Sequence, residues 1–135
     1  MAQNTTIEYS GTSMYPLFRN GDIISAQSTS FDDLREKDVI YFKIPRSDKK
    51  GVHRIIEIDK GKKHIKTKGD GALIKDPFHL RPDDVLGKVV SFKRDDQTVS
   101  LTKSKLYFSY IYSKMAHPYR KLKNVIKTQT IFRWE

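Results

Sequence analysis

Between residues 22 and 101 the chain is cut into six short runs, apolar or alternating, each stopped by a turn signal before reaching ordinary helix length. Asp22-Ile23-Ile24-Ser25-Ala26 follows Asn20-Gly21. Asp38-Val39-Ile40-Tyr41-Phe42-Lys43-Ile44 stops at Pro45. Val52-His53-Arg54-Ile55-Ile56-Glu57-Ile58 ends at Asp59-Lys60-Gly61-Lys62, and Lys63-His64-Ile65-Lys66-Thr67 breaks at Gly69. Val85-Leu86-Gly87-Lys88-Val89-Val90-Ser91-Phe92 and Thr98-Val99-Ser100-Leu101 flank a turn at Asp96-Gln97. Runs this short, rich in β-branched and aromatic residues, suit strands rather than helices. They predict a mainly β, compact antiparallel fold over residues 1–102.

The pattern changes at residue 103. Phe108, Ile111, Met115, Tyr119, Leu122 and Ile126 are spaced by 3, 4, 4, 3 and 4, which is a helical period. Residues 103–135 are therefore read as a basic amphipathic helical tail. Pro118 sits inside it and would cost roughly 3 kcal/mol in an unbroken helix, so a kink or two helices is expected there. The tail holds eight Lys or Arg and one acid, which is +7 of the chain's net +10. Two readings stand: a helix lying through residues 103–129 on an anionic membrane surface, or one that packs its apolar stripe on the body and exposes its lysines.

A chain of 135 residues without cysteine can bury one core and excludes disulfides, thiolate nucleophiles and cysteine metal sites. It has no His-Glu-x-x-His spacing and no glycine-rich phosphate loop, so neither a metal nor another cofactor is expected. No run of about 18 apolar residues predicts a membrane-spanning helix, and the polar start Met1-Ala2-Gln3-Asn4-Thr5-Thr6 does not read as a secretory signal. The location expected on these grounds is cytoplasmic, with peripheral membrane contact through the tail.

Three segments carry chemistry. Ser10-Gly11-Thr12-Ser13-Met14-Tyr15-Pro16 sets a serine after a glycine, where the chain can turn sharply and keep its backbone accessible. Gly51-Val52-His53-Arg54-Ile55-Ile56 sets a histidine in an apolar strand. Thr67-Lys68-Gly69-Asp70-Gly71-Ala72-Leu73-Ile74-Lys75-Asp76 offers two aspartates six residues apart. Nucleophile, general base and orienting carboxylate are the roles of acyl-transfer hydrolysis. An imidazole titrates near neutrality, so His53 could accept the serine proton without deep burial.

In this order the segments resemble the type I signal peptidase and LexA-like superfamily of serine peptidases, in its branch with a histidine base (the ER-type and sporulation-type signal peptidases). Asn20-Gly21-Asp22 and Asp38-Val39-Ile40 are further elements of the resemblance, which covers roughly residues 9–92. Lys37 departs from it, standing where a glycine usually precedes that aspartate. The resemblance implies the family's β fold and a serine endopeptidase cleaving a leader or signal-like segment. Ser13 would be the nucleophile, His53 the base and Asp70 the favoured orienting acid, with Asp76 the alternative. Ser13 and Thr12 would supply the oxyanion hole. The partner implied is an extended peptide or precursor protein. The competing expectation is a catalytically silent, peptidase-like binding module whose basic tail binds a membrane surface or, as the weaker candidate, nucleic acid.

Overall fold

The computed structural model describes residues 3–127, with side chains of the C-terminal helix described as far as Met115. The architecture is mainly β: one antiparallel seven-stranded sheet and a C-terminal helix. The strands are β1 (Asn4–Glu8), β2 (Ile23–Gln27), β3 (Val39–Lys43), β4 (Lys50–Asp59), β5 (His64–Lys68), β6 (Val85–Arg94) and β7 (Gln97–Ser100), followed by α1 (Lys103–Lys127). Neighbours run β1-β2-β6-β3-β4-β5, and β7 pairs with β6. All six short runs read from the sequence are strands. β1 escaped that reading because Asn4-Thr5-Thr6-Ile7-Glu8 is almost wholly exposed and lacks an apolar face. The β6–β7 hairpin turns at Asp95 and Asp96, both at positive φ (51° and 61°), one residue earlier than the sequence suggests.

Successive side chains of a strand point to opposite faces of the sheet, and here each face has its own buried cluster. Val39 and Val52 join Tyr9, Met14, Phe18, Ile24, Phe92 and Leu106. Ile40 and Ile55, on the opposite face of β3 and β4, join Leu34, Phe42, Ile65 and Leu80. The same alternation separates His53 from Arg54. His53 lies opposite Ile40 in the β3–β4 register and Arg54 opposite Val39. Two adjacent polar residues are thereby sent to opposite sides of the sheet, which decides what each can reach.

The departure at Lys37 has a backbone meaning. Lys37 adopts φ 78°, in the left-handed region that favours glycine. Its N–H donates to the Ile55 carbonyl at 2.8 Å, so the bend places β3 against β4 whichever residue stands there.

α1 runs as one helix through Pro118, so of the two expected outcomes, a kink or two helices, the second does not hold. A proline forfeits only one intrahelical hydrogen bond, and 25 residues leave many others. The tail's orientation also corrects a reading. The face turned to the body carries Leu106 and Ser113, both 6% exposed. Phe108 and Met115, from the apolar stripe, are 69% and 75% exposed. The stripe is not what packs. Tyr119, Leu122 and Ile126, its continuation, have side chains outside the described residues.

An ion pair on a buried carboxylate fastens the start of the fold. Asp22, 2% exposed, accepts Arg94 Nε at 2.8 Å, Arg94 Nη2 at 2.5 Å and the Arg19 N–H at 2.8 Å. Burial opposes ionisation of this carboxyl. The hydrogen bonds from Arg94 and Arg19 and both guanidinium charges outweigh it and hold the pKa below its ordinary value. A depressed acid contributes stability that is complete above its unfolded pKa, about 4, and is lost as pH falls through the lower folded value. Urea unfolding at stepped pH is expected to show stability declining below about pH 4. Arg94→Met is expected to lower stability at neutral pH and to make that acid decline shallower.

Candidate active site

Ser13 lies on the loop between β1 and β2. The loop is closed at its base by Tyr9 N–H to the Asp22 carbonyl (2.8 Å) and Gly21 N–H to the Tyr9 carbonyl (2.9 Å). Gly11, at φ 109°, makes the turn that a side chain would strain, and its N–H donates to Asn20 Oδ1 at 2.5 Å. Met14 and Phe18 are fully buried and pin the loop from below, leaving Ser13 half-buried between them and solvent. The Tyr15–Pro16 peptide is cis. Tyr9 reaches up from the end of β1: its hydroxyl accepts the Met14 N–H at 2.8 Å and lies 3.0 Å from Ser13 Oγ. The Ser13 and Tyr9 hydroxyls are thus hydrogen-bonded to each other. Sequence reasoning missed Tyr9, four positions before the serine.

His53 is 8% exposed. One side of its ring packs edge-on against Phe42, centroids 5.7 Å apart. Its Nδ1 meets Asp76 Oδ2 at 2.5 Å, and the same oxygen accepts Thr67 Oγ1 at 2.6 Å. The Asp76 N–H closes the arrangement on the Thr67 carbonyl at 2.9 Å. A carboxylate on Nδ1 fixes the tautomer that carries its proton there and leaves Nε2 as the acceptor.

The favoured acid, Asp70, has a different principal partner. It receives a bidentate fork from Arg54, Nε to Oδ1 at 2.8 Å and Nη2 to Oδ2 at 2.7 Å, with both side chains almost wholly buried. The reason is the strand period. His53 and Arg54 face opposite sides of the sheet, and the two acids of the following loop divide between them. The expectation that Asp70 orients His53 is corrected: Asp76, the alternative, does so. A signal was present in the sequence, since two adjacent cationic-type residues preceded two acids.

The loops meet through glycines. A Cβ on Gly69 would stand 2.4 Å from the Ser13 carbonyl oxygen, 3.2 Å from its carbon and 3.3 Å from His53 Cδ2. The Ser13 main chain and the Nε2-bearing edge of the His53 ring are thus brought to the same point, over a residue that has no side chain. A Cβ on Gly71 would lie 2.5 Å from the Thr12 carbonyl oxygen. Its N–H donates to the Ser13 carbonyl at 2.8 Å, and the Asp70 N–H points at Met14 Sδ, 3.4 Å away. The Ser13 main chain and the His53 ring both border Gly69, with Asp76 on the far ring nitrogen and the Ser13 hydroxyl on Tyr9. Thr12 is exposed on the same loop.

Among the described residues, no group of three His, Cys, Asp or Glu is placed to hold a metal. His64 and His79 stack edge-on with centroids 5.3 Å apart, away from Ser13 in the fold's β4–β5 turn region. His117 has its side chain outside the described residues.

No family model matches this sequence, and comparison with curated proteins finds no match.

The two acids are expected to separate by stability. Asp70→Asn leaves a buried guanidinium short of its counter-charge and is expected to cost about 3–5 kcal/mol. Asp76→Asn keeps an oxygen for Thr67 or His53 and is expected to cost about 1 kcal/mol. Urea unfolding of both variants at neutral pH checks the difference.

Proposed function

We propose that this chain is a serine endopeptidase acting by acyl transfer, with Ser13 as nucleophile, His53 as general base and acid, and Asp76 as the orienting carboxylate. The observation that carries this reading is the approach at Gly69 of the serine main chain and the Nε2-side edge of a histidine already held on Nδ1 by a partly buried carboxylate. Such an arrangement has the parts of a triad. The reading requires the Ser13 hydroxyl to leave Tyr9, 3.0 Å away, for His53, and catalytic hydrogen bonds commonly tighten only once substrate is bound.

His53 Nε2 takes the Ser13 proton as Oγ attacks a peptide carbonyl. The Nδ1 bond to Asp76 steadies the imidazolium that forms. His53 then returns the proton to the leaving amine, and water repeats the sequence on the acyl-enzyme. Main-chain N–H at Ser13 and the Thr12 hydroxyl are the donors assigned to the oxyanion. The Met14 N–H is already given to Tyr9.

The substrate would be an extended peptide. β1 ends the sheet on the side that runs directly into the serine loop, so an edge that no strand covers among the described residues leads to the nucleophile and suits pairing with an added strand. Tyr15, Leu73 and Ile74, on the two loops that meet at the glycines, expose 45%, 36% and 70% of their surface. They offer apolar contacts beside the scissile bond. The resemblance to the histidine-base signal peptidases points to cleavage after small residues of a leader-like segment.

The test is a peptide library incubated with the protein and read by mass spectrometry. New termini after small residues are expected with the native chain and none with Ser13→Ala. Equal cleavage by both, or none by folded native protein, would refute the reading.

A further inference from the structure

We infer that α1 is a docking surface for an anionic lipid bilayer, lying in the plane of the membrane with its outward face in the headgroup region. The inference is independent of the catalytic reading and starts from an inversion. The helix turns Leu106, Ser109, Tyr110 and Ser113 toward the body, held there by Arg54, which donates to the Leu106 carbonyl at 3.0 Å and to Ser109 Oγ at 2.8 Å. Two of those four are serines. The outward face carries the larger apolar side chains: Tyr107, Phe108, Tyr112 and Met115 are 52%, 69%, 59% and 75% exposed. Single exposed apolar residues are ordinary, but a contiguous patch on one helix marks an interaction surface.

Charge selects the occupant. Residues 103–127 hold seven Lys or Arg and no Asp or Glu. At about 100° per residue, Lys103 and Lys114 border the apolar stripe on one side and Lys105 borders it on the other. All three are exposed. Lysines on both borders of an apolar stripe reach anionic headgroups while the stripe enters the acyl boundary. A second copy of this helix laid on the first would instead set like charges against each other. Nucleic acid would leave Met115 and the half-buried Ile111 without a stacking role, since base stacking uses aromatic faces. The stripe continues in sequence through Tyr119, Leu122 and Ile126. No described helix is long and apolar enough to cross a membrane, so the geometry is that of a helix on the surface.

The experiment is co-sedimentation of the full chain with vesicles of phosphatidylcholine plus phosphatidylserine, against vesicles of phosphatidylcholine alone. Binding is expected to the anionic vesicles only, and to weaken as salt is raised. Reversal of Lys103, Lys105 and Lys114 to Glu is expected to weaken it about tenfold or more, and so is Phe108→Glu with Met115→Glu. Both variants change exposed positions only. Their urea midpoints are expected to match the native chain, which separates lost binding from lost folding. Absence of binding to anionic vesicles, binding unchanged in the Phe108/Met115 variant, or concentration-dependent dimerisation abolished by that variant would each overturn the inference.

Discussion

A guanidinium with one per cent of its surface exposed can exist only if its hydrogen bonds are made inside the protein. Arg54 has five N–H donors, and five contacts are present: two to Asp70, one each to the carbonyls of Lys37 and Leu106, and one to Ser109 Oγ. Those partners come from the approach to β3, the glycine-bounded loop and the helix. Satisfying this one side chain therefore fixes where three otherwise separate pieces of chain sit. The left-handed bend at Lys37 belongs to the same arrangement, because it presents that carbonyl to Nη1.

From this follows the position of the candidate site. With Asp70 clamped by Arg54, the glycines on either side of it are held against the serine loop at distances that leave no room for a Cβ. The chain then runs on six residues to Asp76, which reaches the other side of the sheet and takes His53. A single segment thus serves both faces: Asp70 carries structure, and Asp76 carries the histidine. The serine loop is braced separately by Asp22 and Arg94 and by Tyr9. Arg94 Nη2 also lies 3.3 Å from the Leu17 carbonyl.

Much of the sheet was legible because six of its strands are short apolar or alternating runs between turn signals. β1 was not, since an exposed edge strand needs no apolar face. The order of serine, histidine and acids was legible as a resemblance. Which acid meets the histidine was not, because the answer depends on the β3–β4 register and on the side of the sheet to which each residue points. Tyr9 was invisible for a similar reason: its role arises from a loop that folds back four residues. The helix was legible by its period. Its orientation was not, since the side facing the body is chosen by Arg54 and by two serines rather than by the apolar stripe.

The role proposed for Asp76 is to make His53 a base for Ser13. Its most direct test is the rate at which a fluorophosphonate labels Ser13, followed by intact mass and peptide mapping, in the native chain and in folded Asp76→Asn. The account predicts a single adduct on Ser13 and a rate lowered about 10²- to 10⁴-fold in the variant. An adduct on another residue, or an unchanged rate in Asp76→Asn, would contradict it.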